Sequence, residues 1–280
     1  MKTNQKPRNG FTLLELLVVI AIIAAISALA ATAIFRMKGS QEKKTAEQRM
    51  MQLQSDFSAQ WKAVVDVAKK ESIPEPVRVL AGNDNVRARV LHIKFRLRQE
   101  FPQSFDEVRN GSFTAYGYPP KTAFINSISG ATATPGGTEA ESAALLMMTL
   151  AQSRGGVAGN AESLLGGGGS KNIDVGGKQF KVFIDPWGNP IGFARWTASP
   201  YYDQQLQLFN TRSAGTAKDN EDPEGKLLQN WASKATAQTL LHTFDGRNRS
   251  PFMYSAGPNS RFYDDDDVTS YQLADQGGKN

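Results

Sequence analysis

Apolar residues are distributed unevenly along this chain of 280 residues. From residue 11 to residue 35 it is apolar except for Thr12, Glu15, Ser27 and Thr32. As a helix that stretch is roughly 37 Å long, enough to cross a bilayer core of about 30 Å. Residues 1–10 ahead of it carry Lys2, Lys6 and Arg8 and no acid, and Pro7 and Gly10 disfavour helix. From residue 36 to 70 the pattern changes to an apolar stripe on a polar rod. Met50, Leu53, Phe57, Trp61, Val64, Val65 and Ala68 recur mostly three and four residues apart, which predicts an amphipathic helix continuing the first. Gly39 is its one weak point. Pro74 and Pro76 end it, because a residue before proline is pushed out of the α region.

A second helix is expected over residues 84–100, with Asn83 or Asp84 as N-cap and Val86, Val90, Ile93 and Leu97 as its buried stripe. A third is expected over 139–153, capped by Thr138 with Glu141 at the capping-box position. Leu145, Leu146, Met147, Met148 and Leu150 are its core residues. Residues 155–169 are glycine-rich. Their Gly-Ser-Lys order and the lack of a leading strand favour a linker over a phosphate loop. Residues 178–184 and 191–196 read as a strand pair about the turn 185–190, with Trp187 plugging it into the helix wall. A last helix is expected over 226–242, burying Leu227, Leu228, Trp231, Leu240 and Leu241.

Composition narrows the chemistry. With 40% hydrophobic and 21% charged residues the chain is ordinary globular protein, which argues against wholesale disorder. No cysteine excludes a disulfide scaffold, thiolate zinc and a Cys nucleophile. Two histidines, His92 and His242, leave almost no material for a His-rich metal site or a triad. The net charge of +5 does not by itself imply a nucleic-acid partner.

Three readings compete for the N-terminus: a cleaved secretory signal, an uncleaved anchor and a prepilin-type leader. Residues 28–30 (Ala-Leu-Ala) or 31–33 (Ala-Thr-Ala) offer small-residue cleavage sites for the first. Glu15 stands against it, since an acid at the head of a discarded apolar run weakens insertion for no return. A carboxylate inside a bilayer costs a few kcal/mol and usually has a partner. If cleavage falls between Gly10 and Phe11, the new α-amine of a neighbouring copy is the obvious cation. The alternative places Glu15 at headgroup depth.

Residues 10–20 (Gly-Phe-Thr-Leu-Leu-Glu-Leu-Leu-Val-Val-Ile) resemble the N-terminal motif of type IV prepilins and type II secretion pseudopilins. The resemblance implies cleavage after Gly10 by prepilin peptidase, N-methylation of Phe11, and assembly into a helical filament with Glu15 facing another subunit's amine. Loss of the leader removes three of the five net positive charges. Counting bases on either side of the span gives nearly a draw, so a cytoplasmic leader follows from the family alone. The implied fold is α+β and pilin-like: leader 1–10, membrane or filament-core helix 11–35, amphipathic continuation 36–72, and a head 73–280 with a small antiparallel sheet and insertions near 130–170 and 197–249.

Two charged stretches remain. Arg87, Arg89, Lys94, Arg96 and Arg98 make the second helix the most basic part of the chain. They fit a solvated face, or an anionic partner such as DNA, for which no stacking platform or groove-reading motif is present. Residues 264–267 are four consecutive aspartates, a solvated loop or a hard-cation site, without EF-hand spacing. Residues 185–190, 255–259 and 266–271 together resemble the C-terminal region of the major pseudopilin, where calcium staples the loop. Carried over, Asp266 and Asp267 match best. Asn259 stands where that family often has Asp, and Ser255 offers an oxygen. The stretch 197–249 departs from that compact family.

The expected function is therefore a structural subunit of a type II secretion pseudopilus or type IV pilus, without catalysis and with Ca2+ as the one candidate cofactor. Expected partners are further copies, minor pilins or pseudopilins, prepilin peptidase, the inner-membrane assembly platform and membrane lipid; nucleic acid is not expected. The expected location is the bacterial inner membrane, single-pass, with the head on the outer side. The contrasting readings are a DNA-uptake pilus subunit and a binding protein or enzyme with a borrowed leader. An enzyme would have to use His92, or His242 near Asp245, and neither has a nucleophile motif or acid pair beside it.

Overall fold

The computed structural model describes residues 13–111, 113–135, 137–154, 156–157, 159, 161, 169–195, 219, 221–241, 251–262 and 266–270, with the backbone alone across 31–36. The chain divides into two units, Met1–Lys44 and Thr45–Asn280.

Helix α1 runs over Leu13–Ala68, with no proline to interrupt it, and passes through Gly39 unbroken. In the second unit its Met50, Leu53, Phe57, Trp61, Val64, Val65 and Ala68 are buried as the spacing predicts, joined by Ala46 and Gln60. Its last turn carries no base. The exposed carbonyls there are capped from outside: Arg89 donates to Ala68 O (2.9 Å) and Glu71 O (2.6 Å). The short α2 (Glu75–Leu80) starts with proline at its first turn, where the missing N–H costs nothing. Helix α3 (Asn85–Glu100) is capped by Asp84, which accepts from Arg87 N at 2.9 Å.

Two more short helices, α4 (Phe105–Asn110) and α5 (Thr122–Ser127), flank a 3-10 turn at Thr114–Tyr116; the sequence pattern did not announce them. Helix α6 spans Glu139–Ala151, with Thr138 accepting from Glu141 N (3.1 Å). Glu141 does not close its own capping box. Its buried carboxylate instead accepts from Phe105 N and Thr134 N, both at 2.8 Å, which ties the start of α4 to α6.

The strands correct the expected pairing. Strand β2 (Lys178–Phe183) pairs antiparallel with β1 (Ser170–Val175) across Gly176 and Gly177, in register from Ser170↔Phe183 to Val175↔Lys178. Strand β3 (Gly192–Ala194) belongs to a second antiparallel sheet of order β3-β4-β5. Here β4 is Phe252–Ser255 and β5 is Val268–Thr269. Among the described residues only the single bridge Ile184↔Pro190 joins the two strands expected to form a hairpin, of which Trp196 lies outside the described residues. Two prolines leave too few N–H groups for a longer ladder. The last helix is also shorter than expected: α7 covers Lys234–Leu241, and residues 221–233 are turns. Leu227 and Leu241 are buried and Trp231 and Leu240 half-buried, but Leu228 is exposed.

The core closes around a ring cluster from three elements. Phe57 of α1 lies 4.9 Å from Phe101 and 5.0 Å from Phe193, and Trp61 lies 5.2 Å from Phe101. Such contacts stabilise by about 0.5–1.5 kcal/mol each beyond area burial. Ser142 of α6 exchanges bonds with Phe193, donating to its carbonyl (2.8 Å) and accepting from its N–H (3.0 Å). The architecture is thus α+β, with a long N-terminal helix, further helices and small antiparallel sheets.

Candidate functional site

Gly10 and Phe11 lie outside the described residues, and Glu15 sits in the first turn of α1. An acid there complements the positive end of the helix dipole. The window Leu13–Ala30 that contains it has a mean hydropathy of 2.8 and is wholly unburied within the fold. Leu14, Leu17, Ile20, Ile23 and Leu29 are all exposed. Soluble monomers rarely expose a contiguous apolar surface of this extent, so lipid or other apolar helices must cover it.

Around the C-terminal loop the structure separates residues that the sequence pooled. The hydroxyl of Ser255 is buried and donates to Asp185 Oδ2. Asp185, itself buried, also accepts from Asn189 N (2.7 Å) and Asn189 Nδ2 (3.1 Å), while that amide donates to Gly257 O at 2.5 Å. This network fastens the 185–189 turn to the end of β4. In the sequence Asp185 and Asn189 were legible as turn residues and as part of the resembling 185–190 segment, not as partners of Ser255 and Gly257. Asn259 lies on the other side of Gly257 and donates through its backbone N (3.2 Å) and Nδ2 (2.7 Å) to the Asp266 carboxylate. Its Oδ1 accepts from Arg261 N at 2.7 Å. Asp267 is buried, with 4% of its surface exposed.

Measured against calcium, which prefers six to eight oxygens, the donor set fits in part. Asp266, whose carboxylate accepts from Asn259, and the buried Asp267 offer hard anionic oxygens, whereas Ser255 is committed to Asp185. Among the described residues no three His, Asp or Glu side chains converge as a metal cluster. Asp264 and Asp265 lie outside the described residues.

Helix α3 corrects the expectation of a solvated basic face: Arg87 and Lys94 are buried and Arg89, Arg96 and Arg98 half-buried. Its cations turn inward. Arg87 is buried, donates to Ala81 O (2.8 Å) and stacks 4.6 Å from the Trp231 ring. Lys94 is buried against Asp219 (2.6 Å) and Glu221 (3.7 Å). Arg96 pairs with Glu71 at 2.9 Å, and Arg98 with Glu107. Val86, expected inside, is exposed.

His92 is buried with Nδ1 2.5 Å from the Tyr118 hydroxyl and Nε2 3.3 Å from Glu71. Burial lowers its pKa, and Glu71 opposes that shift. Burial likewise raises that of Tyr118. The pair reads as a packed hydrogen-bonded contact. His242 lies outside the described residues.

Residues 5–31 match the family model described as the prokaryotic N-terminal methylation motif, the prepilin-type leader of type IV pilins and pseudopilins. The chain therefore carries that leader joined to an apolar N-terminal helix. No curated protein and no solved structure is significantly similar to the chain.

Proposed function

We propose that the protein is a structural, non-catalytic subunit of a type II secretion pseudopilus or a type IV pilus. Prepilin peptidase cuts between Gly10 and Phe11, Phe11 is N-methylated, and the subunit is held in the inner membrane by one span with its head on the outer side. From there the assembly platform adds it to a filament of like copies and minor subunits. The observation that carries this reading is the unburied apolar helix Leu13–Ala30, headed by Glu15, directly behind a matched prepilin leader. Stacking such helices covers their apolar surface. It also pairs each Glu15 with a neighbour's α-amine, a charge-assisted contact away from water. The resemblance of the C-terminal region to major pseudopilins supports the secretion system, and the inward-turned bases of α3 support a subunit without a nucleic-acid partner.

The mature N-terminus from the native membrane fraction tests the reading. It is expected at N-methyl-Phe11. A start at Ala31 or Ile34 overturns it, because secretory cleavage would discard the helix. Glu15→Ala is expected to abolish incorporation into filaments while leaving cleavage intact. Calcium belongs to the same proposal, held by Asp266 and Asp267 with Asn259 beside them. The full chain in detergent is expected to melt several degrees higher with Ca2+ than with EDTA, by mass action on the folded state. Asp267→Asn is expected to remove that difference; equal melting of the wild type with and without Ca2+ rejects the site.

A further inference from the structure

The first unit holds a second feature that the filament reading does not use. Between Glu15 and Glu42 the chain has no acid, while Arg36, Lys38, Lys43 and Lys44 follow the apolar run. Lys38, Lys43 and Lys44 are exposed, and among the described residues the one ion pair at any of them is the solvated Lys38–Glu42 contact at 3.7 Å. We propose that Lys38, Lys43 and Lys44 form a collar that binds the headgroups of anionic phospholipids at the head-side end of the membrane segment. This rests on the membrane reading of the helix.

Two geometric facts favour lipid over a protein partner. The first is depth. With Glu15 at one boundary, about 20 residues of helix cross a 30 Å core and end near residue 35. Lys38 then stands roughly 5 Å beyond, within a headgroup layer of about 5–7 Å. Lys43 and Lys44 stand roughly 12–14 Å beyond, and their flexible stems let the ammonium groups reach back. The second is direction. At about 100° per residue the three lysines are spaced by roughly 100–140° around the axis, so they surround the helix. A protein partner reads one face; an annulus of lipid meets every face. Leader removal sharpens the asymmetry, since residues 11–15 then hold no Lys or Arg before the span.

The test uses the full chain isolated from membranes and reconstituted in bilayers of mixed phosphatidylglycerol and phosphatidylcholine. Spin-labelled versions of each lipid report, through the motionally restricted component, their relative association with the protein. A preference for phosphatidylglycerol on the order of tenfold is expected at low ionic strength, from about fivefold per base near a surface with partial reach, and it should collapse at high salt. The triple change Lys38→Gln, Lys43→Gln, Lys44→Gln should abolish the preference while keeping the restricted component for both lipids. The corresponding Arg replacements should retain it. Equal association of the two lipids with the wild type, or a preference that survives the Gln changes, overturns the collar alone. No restricted component for either lipid overturns the membrane reading and the collar with it.

Discussion

Glu107 shows how a single residue is fixed by its surroundings. Its side chain is 8% exposed and receives Arg98 and both terminal nitrogens of Arg195, at 2.6 and 3.1 Å, along with Gln103 N at 2.7 Å. Burial alone pushes such a carboxyl up, but the two guanidiniums outweigh it and hold the pKa at about 2. A depressed folded pKa contributes stability above the ordinary carboxyl value of about 4.3, lost as pH falls toward 2. Glu107→Gln should therefore cost about 3–5 kcal/mol at neutral pH, because the buried Arg195 and the half-buried Arg98 lose their anion. The deficit should shrink in urea titrations taken toward pH 3; a constant deficit would show that packing, not charge, is at stake. Gly257 is a second case. Its φ is +63°, and an added Cβ would lie 2.2 Å from Asp266 O, so Gly257→Ala should lower the melting temperature by several degrees and loosen the Asp266 loop. At this scale the sequence was readable where the partner is local, as with Asp84 and Thr138 at their caps. It was not where the partner is distant: Glu107 and Arg195 are 88 residues apart, and nothing near either one announces the other.

Among the elements, α3 departs furthest from its pattern. A run with five bases in twelve residues suggests a wet face. Yet α3 is enclosed on one side by the end of α1 and on another by residues 219 and 221–241, which supply part of the anions and carbonyls its bases meet. Lys94 meets Asp219 and Glu221, Arg87 meets the carbonyl of Lys226 (3.2 Å) and the Trp231 ring, and Arg98 meets Leu240 O. Trp61 of α1 donates to Glu221 at 3.1 Å. That segment is the part of the chain least readable in advance. Its helix was expected eight residues too early, because Asp222 binds Lys226 N (2.7 Å) and Leu227 N (2.8 Å) and holds a turn there instead. Periodicity sees apolar spacing; it does not see a carboxylate competing for backbone donors. Lys94→Met should leave the half-buried Asp219 and Glu221 without their cation. Hydrogen exchange of the 226–241 amides should then accelerate at least tenfold at neutral pH, with the β1–β2 hairpin unaffected. Unchanged exchange would mean that Leu227, Ala237 and Leu241 hold the segment by burial alone.

Across the whole molecule, the long helix, its buried stripe from Met50 to Ala68 and the apolar run were legible because 3.6-residue periodicity is local. The β3–β4 pairing was not, because it joins Gly192 to Tyr254 and Ala194 to Phe252 across about 60 residues; β1 is a local hairpin partner of β2, but its run Ser170–Val175 is mostly polar and lacks the apolar alternation that marks a strand. The division into units carries its own prediction. Among the described residues no buried core side chain precedes Ala46, and every large aliphatic from Leu13 to Leu29 is exposed. The apolar segment therefore adds no buried core side chain to the second unit among the described residues. A chain beginning at Lys38 should be soluble without detergent, since the lost surface is the aggregating one. Its thermal unfolding should fall within a few degrees of the head transition of the full chain in detergent. A drop of ten degrees or more would mean that residues 13–37 support the head, and the two units would have to be treated as one cooperative body.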